Sequence, residues 1–161
     1  MIVVSNTSPL TNLAVLNQFD LLYKLYGKLY IAEGVWAELN AQGQAWPGQK
    51  NVEQASWITR KTVANQSAVA ILREDLDRGE SETIVLAIEQ KADLILMDEA
   101  EGRRKAKRLG LNVVGVIGVL LQAKSKDYIS EILPYLDRLR QEAGFYLSER
   151  VYQQVLKLVD E

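Results

Sequence analysis

Short apolar runs alternate with stretches of helical spacing along most of the chain. Ile2-Val3-Val4-Ser5 reads as a first strand that stops at Asn6-Thr7-Ser8-Pro9. Ser8 suits a helix N-cap there, and Pro9 suits the first helical position, where its missing N–H costs nothing. Leu10, Leu13, Ala14 and Leu16 give that helix an apolar face. A second helix from about Phe19 to Leu25 ends at Gly27, and Leu29-Tyr30-Ile31-Ala32 follows as a second strand. Val35, Trp36 and Leu39 mark a third helix, which fades into a polar loop from Gln42 to Gly48.

Trp57-Ile58-Thr59 is a weaker third strand. Helical spacing runs from Ser67 to Leu76, breaks at Gly79 and restarts from Glu80 to Gln90. Leu94-Ile95-Leu96-Met97 is apolar at every position, as a parallel strand buried on both faces requires. A basic helix from about Glu101 to Leu109 ends at Gly110, and Asn112-Val113-Val114-Gly115 supplies a fifth strand. Helices then fill Ile117 to Lys124, Ile129 to Arg140 and Glu149 to Leu158. Strands separated by helix-length patterns imply βαβ units, hence an α/β fold with a mostly parallel sheet and helices on both faces. A chain of 161 residues is expected to form one domain over 1–161. Its α/β body is expected over about 1–125 and a helical C-terminal extension over about 126–161.

Composition narrows the chemistry. The chain has no cysteine and no histidine, which excludes thiol and Ser-His-Asp catalysis, disulfides and His or Cys zinc sites. Reactions must run on carboxylates, amides, hydroxyls, Lys or Arg, and carboxylates select hard ions such as magnesium or manganese. The net charge of −2 does not suit a globally basic nucleic-acid binder, so such a partner must meet a local patch. Arg103, Arg104, Lys105, Lys107 and Arg108 form one, although a run of this kind also serves as a solvated helix face. Met1 to Leu10 lacks the pattern of a signal peptide, and no apolar run approaches the roughly 20 residues of a membrane span. A cytoplasmic protein with no membrane partner is expected.

In an open parallel sheet, ligands bind beyond the carboxyl ends of the strands, at a switch in strand order. Asn6 follows the first strand there and Asp98 the fourth, with Glu99 and Glu101 just after it. Glu38, Glu80 and Glu82 lie on helices that follow other strands. A rim of carboxylates at one edge repels itself unless a divalent cation or protons offset it. Each residue taken alone has a plainer role: Asp98 as an N-cap, Glu38 as a solvated helix residue, Asn6 as the holder of a bend. Glu80 and Glu82 sit in a first helical turn, where the helix dipole favours acids by roughly 0.3–1 kcal/mol.

At these residues the sequence resembles the PIN-domain proteins, specifically the small VapC-like family first catalogued as a domain of unknown function. The resemblance is carried by Val3-Val4-Ser5-Asn6-Thr7-Ser8-Pro9-Leu10 and by Gly79-Glu80-Ser81-Glu82-Thr83-Ile84-Val85-Leu86-Ala87. It continues through Ala92-Asp93-Leu94-Ile95-Leu96-Met97-Asp98-Glu99 to Gly102-Arg103, and then Gly115-Val116-Ile117-Gly118-Val119-Leu120-Leu121. It implies a three-layer Rossmann-like domain with a five-stranded sheet in the order 3-2-1-4-5. It also implies a magnesium- or manganese-dependent endoribonuclease, the toxin of a type II toxin–antitoxin pair silenced by a small antitoxin, and a homodimer.

Carried over residue by residue, the catalytic positions implied are Asn6, Glu38, Glu82 and Asp98, with Asn6, Glu82, Asp98 and Glu101 as metal ligands. From the residues themselves, a basic strip beside the acids suits a polyanion, and Ser8, Arg103, Arg104 and Lys105 are the expected contacts to RNA. One position departs from the pattern: most nucleases of this type carry Asp where this chain has Asn6. Two unit charges about 4 Å apart interact by about 4 kcal/mol at an effective dielectric near 20. The lost charge therefore keeps a second expectation open, a catalytically weak or inactive module that binds nucleic acid or a protein partner. A nucleotide-binding Rossmann domain is disfavoured, because no Gly-x-Gly-x-x-Gly follows the first strand.

Overall fold

The computed structural model describes residues 1–43 and 46–161. Of the polar loop expected from Gln42 to Gly48, Gln44 and Ala45 lie outside the described residues. Five parallel strands, β1 (Val3–Ser5), β2 (Leu29–Ala32), β3 (Ile58–Lys61), β4 (Leu94–Leu96) and β5 (Val113–Val114), form one sheet in the order β3-β2-β1-β4-β5. This is the order expected from the resemblance.

Helices cover both faces, and the strands show why. Successive strand side chains point to opposite faces, so a strand buried on both sides feeds two cores. Val3, Ile31, Leu94 and Leu96 enter one apolar cluster; Val4, Ala32, Ile95 and Met97 enter the other. The first cluster is filled from α1 (Thr7–Val15), α2 (Leu21–Tyr26), α3 (Glu33–Leu39) and the short α4 (Gln49–Gln54). Three later helices, α8 (Val116–Ser125), α9 (Leu133–Gln141) and α10 (Glu149–Leu158), complete it. The second cluster is filled from α5 (Gln66–Leu72), α6 (Arg78–Gln90) and α7 (Ala100–Arg108). Leu136, Leu139, Val155 and Leu156 share a core with Val3, so the C-terminal helices are packed onto the same sheet face as α1.

Several boundaries differ from the sequence expectation for identifiable reasons. Helix α1 is capped at Asn6, so Pro9 is its third residue rather than its first; the first four N–H groups are free in any case, and proline still costs nothing there. Gly79 does not break a helix. It is the second residue of α6, buried, because the Glu38 carboxylate lies directly against it. Helix α4 was not expected, and β3 is shifted to Ile58–Lys61. The ninth helix starts at Leu133, with Ile132 as its N-cap, rather than at Ile129. Among the described residues, no helix is long and apolar enough to cross a membrane.

Leu10 is fully buried in the first core while Ile71 is 68% exposed. Leu10→Ala should lower unfolding free energy in urea by about 2–5 kcal/mol, and Ile71→Ala should leave it within about 0.5 kcal/mol. Equal effects would contradict the packing described.

Candidate active site

The pairing of β1 with β4 creates the site. Their register sets Ser5 opposite Leu96, and the Asn6 N–H donates to the Leu96 carbonyl at 2.8 Å. Both strands end there, at the point where strand order reverses, so Asn6 and Asp98 emerge side by side. Asp98 does not cap the helix that follows it. Its Oδ1 accepts from the Val116 N–H at 2.8 Å and thus caps the start of α8. Its Oδ2 faces the Asn12 amide at 3.3 Å. A Cβ at Gly115 would lie 2.7 Å from Asp98 Oδ1, so that approach requires glycine.

Glu38 reaches the same edge from the last turn of α3. One oxygen accepts from the Thr7 hydroxyl and the other from the Gly79 N–H at 3.0 Å. Glu99 accepts from the Asn6 amide nitrogen at 3.1 Å. Glu80, 8% exposed, lies among Asp77, Glu99 and Glu38, whose charges all act on it.

Burial and mutual repulsion raise the proton affinity of these acids. Desolvation, with Asp77 and Glu99 adding to it, lifts Glu38 above the usual carboxylate range against the opposing bonds from Thr7 and Gly79. Desolvation, the charge of Asp77 and a hydrogen bond shared with it push Glu80 up to about 8. Desolvation and Glu99 lift Asp98 to about 6, against the bond from Val116 and the guanidinium of Arg103. Three carboxyls displaced in the same direction at one strand edge mark a place short of positive charge.

Two residues expected at the metal are elsewhere. The Glu82 carboxylate accepts from the Gly34 N–H at 3.0 Å and pairs with Arg78 Nε at 2.6 Å. Residues two apart on a helix point about 200° apart, so Glu80 and Glu82 cannot both face one edge. Glu80 is the one of the two turned toward Asp77, Glu99 and Glu38. Glu101 is exposed and paired with Arg104 on α7, one turn away along the same face. Of the expected RNA contacts, Ser8 Oγ lies 3.4 Å from the Asn12 amide, and Lys105 Nζ lies 3.9 Å from Asp75. Arg103 donates through Nη1 to the Met97 carbonyl at 3.1 Å. Glu99 was expected only as one acid of the rim, and Asn12 was not expected; Asn12, one helical turn after Ser8, was legible only as a polar residue on an otherwise apolar face.

The donor set suits a hard divalent cation: every candidate atom is an oxygen. The Asn6 Oδ1 is buried without a hydrogen-bond partner, and among the described residues only Ser81 Oγ shares that condition. Its amide nitrogen is committed to Glu99, so the oxygen is left facing nothing that donates. Among the described residues no group of three acids is arranged to hold a metal ion.

A family model described as a PIN domain matches residues 2–161 of the chain. No curated protein matches it.

Raised carboxyl pKa values mean that the folded protein binds more protons than the unfolded chain, so the burden on stability grows as pH rises. For Glu80 the window runs from the ordinary 4.5 to about 8. Glu80→Gln should therefore gain thermal stability relative to the parent between about pH 5 and about pH 8 in chelator. A difference in melting temperature that stays flat or shrinks across that range would contradict the cluster.

Proposed function

The chain belongs to the PIN-domain family, whose fold is of nuclease type and whose members generally use divalent metal ions, and on that premise we propose that it hydrolyses RNA phosphodiester bonds. The observation that carries this reading is the unpartnered Asn6 oxygen amid Glu38, Glu80, Asp98 and Glu99. Asn6, Asp98 and Glu99 would hold magnesium or manganese, with Glu38 and Glu80 nearby. When bound, the ion would supply Lewis-acid stabilisation of the phosphate and a more acidic water.

The protein's own residues do the rest. Asp98, fixed by Val116 and Asn12, has one orientation toward the strand edge. Glu38, fixed by Thr7 and Gly79, is a carboxylate aimed without rotamer search, and it accepts the proton of the attacking water. As the water oxygen bonds to phosphorus, the ester bond breaks and the leaving ribose oxygen takes up a proton. Solvent water supplies it, because a bound cation would draw the proton off Glu80. Arg103 uses one N–H on Met97 and keeps donors for a phosphate oxygen. Arg104 and Lys105 extend that positive charge along α7, away from the acids.

The resemblance to VapC-like proteins supports a finer reading: a cytoplasmic toxin of a type II pair, dimeric and silenced by a small antitoxin. One pair of observations favours a second reading, a binding module without hydrolysis: a neutral Asn6 in the first acidic position and no ready three-acid group among the described residues.

The two readings separate in a cleavage assay on single-stranded RNA with manganese. Asp98→Asn should lose at least about 100-fold in rate, and Asn6→Asp should lower the manganese concentration needed for half-maximal activity. Cleavage by Asp98→Asn at the parent rate overturns the assignment; no cleavage by the parent, with no heat on titrating manganese, establishes the binding module. Gly79→Ala, whose Cβ would collide with the Glu38 carboxylate, should slow cleavage while leaving the fold intact.

A further inference from the structure

A cleft of about 510 Å³ opens beside the carboxylates, between the end of β5 and the segment joining α9 to α10. Asp98, Arg103 and Gly115 contribute its polar lining; Phe145, Tyr146 and Val151 contribute apolar lining. Its size lies within the roughly 300–1,000 Å³ of small-molecule sites.

Tyr146 is 88% exposed, an unusual condition for an aromatic on a well-anchored segment. The anchors lie on both sides of it. Gly144, at φ 64, turns the chain out of α9, and the Phe145 N–H donates to the Leu139 carbonyl at 3.0 Å. The Leu147 carbonyl accepts from Arg140 at 3.2 and 2.9 Å, and the Leu147 side chain is buried. Ser148 caps α10 by accepting from the Val151 N–H at 3.2 Å. The backbone on either side of the exposed ring is thus tied down, so presenting it to a ligand costs little ordering entropy.

We propose that this cleft is the base subsite of the site described above, in which a nucleobase next to the scissile phosphate of single-stranded RNA stacks on Tyr146. The proposal rests on the hydrolytic reading for its position relative to the cleaved bond. Charge and shape agree on the occupant. Arg103 meets the phosphate at the polar lining, and a flat ring covers the apolar one. Sequence-tolerant recognition of unpaired RNA uses this combination of a cation and an aromatic face. A base inside a duplex is not free to enter.

The test is fluorescence anisotropy of a labelled single-stranded RNA with the full chain in chelator, where no cleavage occurs, followed by steady-state cleavage with manganese. Tyr146→Ala should weaken binding about 5- to 150-fold and raise KM with kcat unchanged. Tyr146→Phe should restore both to within about twofold, since the ring suffices. An RNA with an abasic position beside the cleaved bond should bind the parent as weakly as intact RNA binds Tyr146→Ala. Unchanged affinity and KM in a folded Tyr146→Ala, with the parent still cleaving, overturns the subsite and leaves the hydrolytic reading standing. Tyr146-dependent binding by a parent that does not cleave overturns the hydrolytic reading and keeps the base platform. A parent that neither binds nor cleaves RNA overturns both.

Discussion

Carboxylates removed from water next to one another raise each other's energy, and the architecture around Asn6 keeps several of them there. Glu38, Glu80 and Asp98 are all displaced toward their protonated forms, with desolvation the largest cause for each. A protein selected only for stability has little reason to hold such a group at the ends of its central strands. An approaching cation or a phosphate–cation complex relieves the repulsion, so the strain is a store of binding energy for a positively charged ligand. Asn6 lessens the strain by one charge compared with an acid in its place, and it leaves an oxygen that no group among the described residues satisfies.

Helix starts supply the means of holding the acids in place. The Glu38 carboxylate accepts from Gly79 in the first turn of α6, while the Glu82 carboxylate on α6 accepts from Gly34 in the first turn of α3. Each helix thus satisfies a free N–H at the start of the other; a Cβ at Gly79 would collide with the Glu38 carboxylate, and one at Gly34 would crowd Glu82. Asp98 does the same for α8. Free N–H groups and the positive end of the helix dipole partly offset the cost of burying the carboxylates. Glu82 is the member of this set that also pairs with a cation, Arg78, on its own helix.

Positive charge is distributed just outside the acids. Arg103 sits against Asp98 and the Met97 carbonyl, while the more exposed Arg104 is turned toward Glu101. The cleft that Asp98 shares with Tyr146 continues the edge on the β5 side. Acid cluster, guanidinium and aromatic face therefore follow one another along one edge of the sheet.

The chain's periodicities were enough to assign five parallel strands with helices on both faces, because alternation and helical spacing are local properties. Leu94 to Met97 announced a doubly buried strand through composition alone. The polar residues after β1 and β4 also marked the edge where the displaced carboxyls gather, since that is where strand order reverses. What local pattern could not decide was which way each carboxylate points. Glu80 and Glu82 look alike in sequence, and only the packing of α6 against α3 turns one toward Glu99 and gives the other to Gly34. Gly79 read as a break because glycine usually is one; its purpose, room for Glu38, depends on a contact 41 residues away. Secondary structure follows from neighbours in the chain, whereas the protonation and partners of a buried acid depend on residues that only folding brings near it.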